Sequence, residues 1–371
     1  MVTDRRTFLP VALSALLHCR QKKGAGFEGY AFVANEEGQT IAAVDLTRFA
    51  LARHIRLAGR PTAVISGSAT PAVYALTSGT GSVHEIGIAS LALSRRIQVA
   101  RSAVSMRLAP DGTALWVLCR EPQQLARLTL EPFRADARIR LPGEPVDFDL
   151  SPDGKFAAVS LGAGGAVTIL DLAAERARQP VKVGKTLSAV RFRSDSKQLI
   201  VGDGGDRRIS ILDVPDGRVL VHLPLAVRPA NMCFKSDGGQ LFVTGEGMDA
   251  VVIVYPYSTE VAETVLAGRA PGAMAASTSP DYLFVANPES GDVTILDIET
   301  RRVIAVAAVG AEPASIVITP DNQYALVLNR RSGDMAVIRI AAITQGRAKS
   351  APLFTLVPVG SRPVDAAVRA I

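Results

Sequence analysis

Four histidines, three cysteines, two glycine-rich loops and a scatter of basic loop residues are the side chains in this sequence that could do chemistry. Metal binding or acid–base catalysis would draw on His18, His54, His84 and His222, but no two of them stand at ligand spacing. Cys19, Cys119 and Cys233 are an odd number without regular spacing, which argues against a disulfide framework and for small buried thiols. No Cys-X-X-Cys-His occurs, so covalent haem attachment is excluded. Gly162-Ala163-Gly164-Gly165 and Gly202-Asp203-Gly204-Gly205 resemble phosphate cradles, yet each joins two strand-like segments with no helix after it, and a hairpin turn is the better reading. Asp203, Asp206 and Asp249 lack the regular spacing of a calcium loop. The sequence therefore predicts no catalytic constellation, no metal and no cofactor.

The elements that must position these residues come from a repeat. Pro61, Ala103, Pro145, Leu187, Pro229, Pro271 and Pro313 stand 42 residues apart, and a longer last copy ends at Pro363. Each copy has a strand running into a polar turn such as Ser151-Pro152-Asp153-Gly154. Proline presets that turn, aspartate bonds its own backbone, and glycine accepts positive φ. An apolar second strand follows (Tyr282 to Asn287), then an alternating third strand (Val293-Thr294-Ile295-Leu296-Asp297), then a fourth (Arg302 to Val306). Asp171, Asp213 and Asp297 recur at one third-strand position and are read as turn residues; Trp116 is read as core.

Four short strands per ~40 residues make the blade of a β-propeller, in which stacking in a ring buries the faces that one sheet alone would expose. The predicted fold is all-β: four-stranded antiparallel blades, eight by the spacing. Seven is the alternative if residues 62–103, where Ser66-Gly67-Ser68-Ala69-Thr70 replaces the polar turn, are not a blade. The first copy, from Gly29, lacks its leading strand, and Val364 to Ala370 reads as a leading strand with no copy after it. The termini are thus expected to complete one composite blade. The domain limits follow as 1–18 signal segment, 19–28 linker and 29–371 propeller.

Leu283-Phe284-Val285-Ala286-Asn287, Val293-Thr294-Ile295-Leu296-Asp297, Val309-Gly310-Ala311-Glu312-Pro313 and the Ser-Pro-Asp-Gly turns resemble the YVTN-repeat β-propeller family over residues 29–371. That resemblance implies the fold and little about activity: members include cell-surface proteins and parts of redox enzymes, and lactonase-like propellers are distant relatives. Eight-bladed relatives include the haem-d-binding domain of cytochrome-cd-type nitrite reductases, which needs axial histidines facing the channel. His54, His84 and His222 fall instead on third and fourth strands, where a surface or edge place is expected.

One pattern points to a partner. The two residues before each repeat-ending position include Arg60, Arg101, Lys185, Arg228, Arg269 and Arg362; with 41 basic residues in 371, chance places about two there. Loops on the same face add Arg120, Arg330, Asn35, Asn287 and Asn329. A cationic ring at the channel mouth would attract an anionic small molecule or an acidic protein surface. A net charge of +6 without a nucleic-acid motif argues against nucleic acid.

The N-terminus supplies the compartment. Asp4-Arg5-Arg6-Thr7-Phe8-Leu9 resembles a twin-arginine export signal, with Asp4 and Pro10 off pattern. Leu16-Leu17-His18-Cys19 resembles a lipobox with His18 off pattern, so Cys19 is the lipidation candidate and a lipid anchor to the membrane follows from it. The expected protein is a monomeric, non-enzymatic binding scaffold, periplasmic or tethered in the cell envelope. A lactonase-like hydrolase and an accessory protein of a periplasmic redox system are the alternatives. An insertion near 341–352, with Gly346-Arg347-Ala348-Lys349-Ser350, is a further contact candidate on the opposite face.

Overall fold

The computed structural model describes residues 26–67, 69–162, 164–343 and 352–371. The signal segment, Cys19 and most of the 341–352 insertion lie outside them.

Each copy folds as an antiparallel sheet whose first strand lies at the ring centre, and eight such sheets close the ring. Blade 1 is the composite: Gly29–Asn35, Thr40–Asp45 and Ala50–Arg56 come from one end of the chain and Pro363–Ala370 from the other. Gly29↔Ala370 to Asn35↔Pro363 is the register that joins them. The weak copy at 62–103 is a full blade 2, with strands Ala63–Ser66, Ala72–Thr77, Ser82–Gly87 and Ala92–Gln98. The seven-blade alternative is therefore set aside. The inner strands of blades 3 to 8 are Ser102–Leu108, Pro145–Leu150, Leu187–Phe192, Arg228–Phe234, Met274–Ala276 and Pro313–Ile318. In blade 4 the outer strand is broken into Arg176–Ala177 and Val181–Lys182, with Pro180 between them unable to donate to a ladder.

Second strands carry the core because they are covered on both sides by neighbouring blades. Phe32, Tyr74, Phe242 and Phe284 are fully or almost fully enclosed, and each buried ring contributes about 2–3 kcal/mol. The polar turns form as the residue types require. In Ser151–Lys155 the Ser151 hydroxyl accepts from Phe156 N at 2.8 Å, Asp153 accepts from Lys155 N at 3.1 Å, and Gly154 has φ +71°. Asp171, Asp213 and Asp297 accept backbone N–H groups from Ala174, Asp216 and Thr300, as their recurrence suggested. Trp116 is core at 5% exposure, and Cys119 and Cys233 are free thiols. Among the described residues no helix is long and apolar enough to cross a membrane.

Candidate functional site

Inner strands face the channel, so out-of-pattern residues on them are the natural place to look for a site. Four positions past each repeat-ending residue, blades 6, 7, 8, 1 and 2 carry Cys233, Ala275, Val317, Ala367 and Ile65, whereas blades 3, 4 and 5 carry Arg107, Asp149 and Arg191. Two positions past it stand Asp147 in blade 4 and Asp365 in blade 1.

These charges form one network across three blades. Arg191 Nη1 donates to Asp147 Oδ2 at 2.6 Å. Arg107 lies 3.4 Å from Asp149 and 3.6 Å from Asp147, and its Nε donates to the Phe148 carbonyl at 2.6 Å. The carboxylates also cap the free edge of the next blade: Asp147 accepts from Val190 N at 3.1 Å and Asp149 from Phe192 N at 2.9 Å. An inner strand would otherwise leave those N–H groups without a ladder partner. Burial raises the Asp149 pKa, with Arg107, Arg191 and the Phe192 N–H opposing it. Burial also lowers Arg107, assisted by Arg191; for Arg191 burial is outweighed by Asp147 and Asp149, and its pKa rises. Guanidinium groups stay protonated in proteins, so two cations face two carboxyl groups across the three blades.

The network divides the channel. On one side a cavity of about 410 Å³ touches the inner strands of blades 4 to 7, with Asp147, Arg191, Asn231 and Met274 in its wall. On the other a cavity of about 440 Å³ touches those of blades 1 to 4, with Ile65, Arg107, Asp149 and Asp365. Asp365 accepts from Val64 N at 2.9 Å. Burial raises its pKa to about 6 against the Val64 and Ala366 N–H groups, and among the described residues no charged side chain contributes to that shift.

The sequence-predicted basic residues lie on the face where the connections between blades meet the second-to-third-strand turns. Backbone bonds join the two kinds of loop there: Glu36 N to Arg362 O, Arg101 N to Glu121 O, and Arg330 N to Glu312 O. Much of the expected ring charge is neutralised locally. Lys185 pairs with Asp206 at 2.6 Å, Arg362 with Glu36 at 2.8 Å, Arg269 with Glu289 at 3.1 Å, Arg120 with Glu144 at 3.7 Å and Arg228 with Glu246 at 3.9 Å. Arg60 is exposed and Arg330 half-buried. Arg101 and Arg120 are brought together with Arg140, which the sequence pattern missed, around a cavity of about 770 Å³ that also includes Glu121 and Gln123. Arg101 and Arg140 make no ion pair among the described residues.

Two expectations are corrected. Asn35, Asn287 and Asn329 do not line the mouth; they are fully buried, and Asn35 Nδ2 donates to Val359 O at 2.7 Å and Asn329 Nδ2 to Val309 O at 3.0 Å, tying blade to connection. His84 is not at a surface or edge. It is enclosed beside Thr77 Oγ1 at 3.2 Å, and burial, then Arg96, lowers its pKa to about 4. His54 and His222 are exposed on outer strands. Among the described residues no group of three or more His, Cys, Asp and Glu is placed to hold a metal ion.

No family model and no curated protein matches the chain. Solved structures do, through the fold. The chain is similar to the dihydro-heme d1 dehydrogenase NirN in complex with DHE, with TM-score 0.74 and 13% identity over 92% of this chain and 75% of that one. It is similar to hydrazine synthase of Kuenenia stuttgartiensis, with TM-score 0.58 and 17% identity over 89% and 99%. A protein of unknown function from Desulfotomaculum acetoxidans matches with TM-score 0.60 and 13% identity over 92% and 98%. At these identities the shared property is the architecture: this chain is an eight-bladed β-propeller.

Proposed function

We propose that the protein is a non-enzymatic propeller of the cell envelope that binds an anionic partner, a small molecule or an acidic protein surface, on the face bearing the blade connections. The observation that carries this reading is the cavity lined by Arg101, Arg120, Glu121 and Arg140, where two of the three guanidinium groups make no ion pair among the described residues. Unpaired arginines in one concavity focus positive potential and bind carboxylate or phosphate bidentately. The pairing of Lys185, Arg228, Arg269 and Arg362 moves the weight of the expected ring to this sector, with Arg60 on the neighbouring blade connection and Arg330 apart from it in blade 8. A scaffold role fits the channel charges, which bind each other and capped N–H groups rather than standing free as acid or base. Envelope location rests on the Arg5-Arg6 segment and on Cys19 as an anchor.

Calorimetric titration with citrate and with hexaglutamate tests the reading. Wild-type protein should bind, and the triple variant R101E/R120E/R140E should lose binding by about a hundredfold or more at low salt. Equal affinity of the two proteins would sink it.

A second reading, an accessory protein of a redox system in the cell envelope, is favoured by the likeness to a protein whose name states a redox reaction, the dihydro-heme d1 dehydrogenase NirN. A visible absorption band co-purifying with the protein would support it, and a colourless protein that leaves added porphyrin spectra unchanged would speak against it.

A further inference from the structure

Asp147 and Asp365 occupy the same repeat position and make the same bond, each capping an N–H on the inner strand of the next blade: Val190 N for Asp147, Val64 N for Asp365. The two sites differ in what that next blade presents one pleat further along. Blade 5 presents Arg191, whose guanidinium lies 2.6 Å from Asp147. Blade 2 presents Ile65 at the equivalent position. One carboxylate therefore has a built-in counter-ion and the other faces an apolar side chain where that counter-ion would be.

The space left is the cavity of about 440 Å³ between blades 1 and 4. Besides Asp365, its charged wall residues are Arg107 and Asp149. They are committed to each other at 3.4 Å, and Arg107 is further held by Phe148 O and Asp147. The rest of the wall, including Ile65, Met106, Leu108 and Leu150, is largely apolar. A desolvated carboxylate without a cation costs free energy that an incoming cation would recover. A hydrated metal ion is a poor fit, because the wall offers few oxygen ligands beyond that carboxylate. A cation carrying its own hydrocarbon satisfies both parts of the site.

We propose that this half of the channel binds a small alkylammonium ion, its head paired with Asp365 and its chain laid along Ile65, Met106, Leu108 and Leu150. The external ammonium then does in blades 1 and 2 what Arg191 does in blades 4 and 5.

Titration calorimetry with n-hexylammonium, 1-hexanol and hexanoate at neutral pH tests the proposal on the full-length protein. Hexylammonium should bind, with hexanol and hexanoate weaker by about tenfold or more, the worth of one charge-assisted hydrogen bond. Asp365→Asn keeps an acceptor for Val64 N and should weaken hexylammonium by a similar factor. Ile65→Arg installs the counter-ion found in blade 5 and should abolish binding while the thermal melt stays cooperative. Hexanol binding as tightly as hexylammonium, unchanged affinity in Asp365→Asn, or no binding by the wild-type protein would each overturn it. Loss of cooperative melting in one variant leaves the other, and the three-ligand comparison on wild-type protein, to decide.

Discussion

In the channel Arg191 lies 2.6 Å from Asp147, with 24% and 21% of the side chains exposed; on the rim Arg228 lies 3.9 Å from Glu246, with 55% and 83% exposed. Both are arginine–carboxylate pairs at the ring's inner side, and a sequence reading would rank the rim above the channel because rim cations recur in more copies. Their physics differs. The channel carboxylate is fixed by the Val190 N–H and sits in a strand whose register sets its place, so forming the pair costs little side-chain entropy. The rim pair joins two exposed side chains at the ends of paired strands, where the gain is small and salt screens it. Recurrence of a charge at exposed blade ends therefore marks where charge is tolerated, and a charge set inside the inner strands marks where it is held.

Disrupting the channel network should cost the most stability. Arg191→Met leaves Asp147 desolvated, with Arg107 at 3.6 Å as its remaining cation, and should lower unfolding free energy by about 2–4 kcal/mol, the range for orphaning a buried charge less the relief from channel solvent. Adding Asp147→Asn should recover part of it. Urea midpoints at constant slope measure both. A loss under about 1 kcal/mol would place the channel charges in the same class as the rim.

A smaller effect with a definite pH window comes from Asp365. Its pKa of about 6 lies above the ordinary 3.8, so the folded protein holds this proton more tightly than the unfolded chain does. The penalty is absent below about pH 4, grows as pH rises through the interval, and is complete above the folded pKa. Asp365→Asn should therefore stabilise the free protein by on the order of 2 kcal/mol at pH 8 and leave it unchanged at pH 4. Equal stabilisation at both would trace the effect to packing rather than to charge.

The ring was legible in the sequence because the 42-residue spacing survives even where the turn chemistry does not, as in Ser66-Gly67-Ser68-Ala69-Thr70. The composite blade was legible because Val364 to Ala370 has the pattern of a first strand and Gly29 to Asn35 that of a second. Less of the site could be read. Arg107, Asp149 and Arg191 were present as departures from a column of Ala, Val, Ile and Cys, and Asp147 and Asp365 as the charges in a column of Ala, Ser and Asn, but whether such residues neutralise one another depends on which blade follows which and on strand register. Arg140 ends an outer strand, outside the columns of the connections, and shares a cavity with Arg101 only in the folded blade. Asn35 and its equivalents misled because a polar residue at a strand end can face solvent or clamp a neighbouring connection, and sequence does not distinguish them. His84 misled because its third-strand column holds small polar residues, Thr168, Ser210 and Thr294, that read as an outward face, whereas the structure buries them all.

The weakest coupling is expected at the rim. A double-mutant cycle of Arg228→Ala and Glu246→Ala should return a coupling of about 0–1 kcal/mol, falling toward zero between low salt and about 0.5 M as the Debye length shortens. The same cycle on Arg191 and Asp147 should return a larger coupling with little salt dependence, because the strands keep solvent ions from the pair. If the two cycles instead respond to salt alike, channel water screens the quartet as bulk water screens the rim, and holding a charge inside the channel would confer no more than placing it at an exposed strand end.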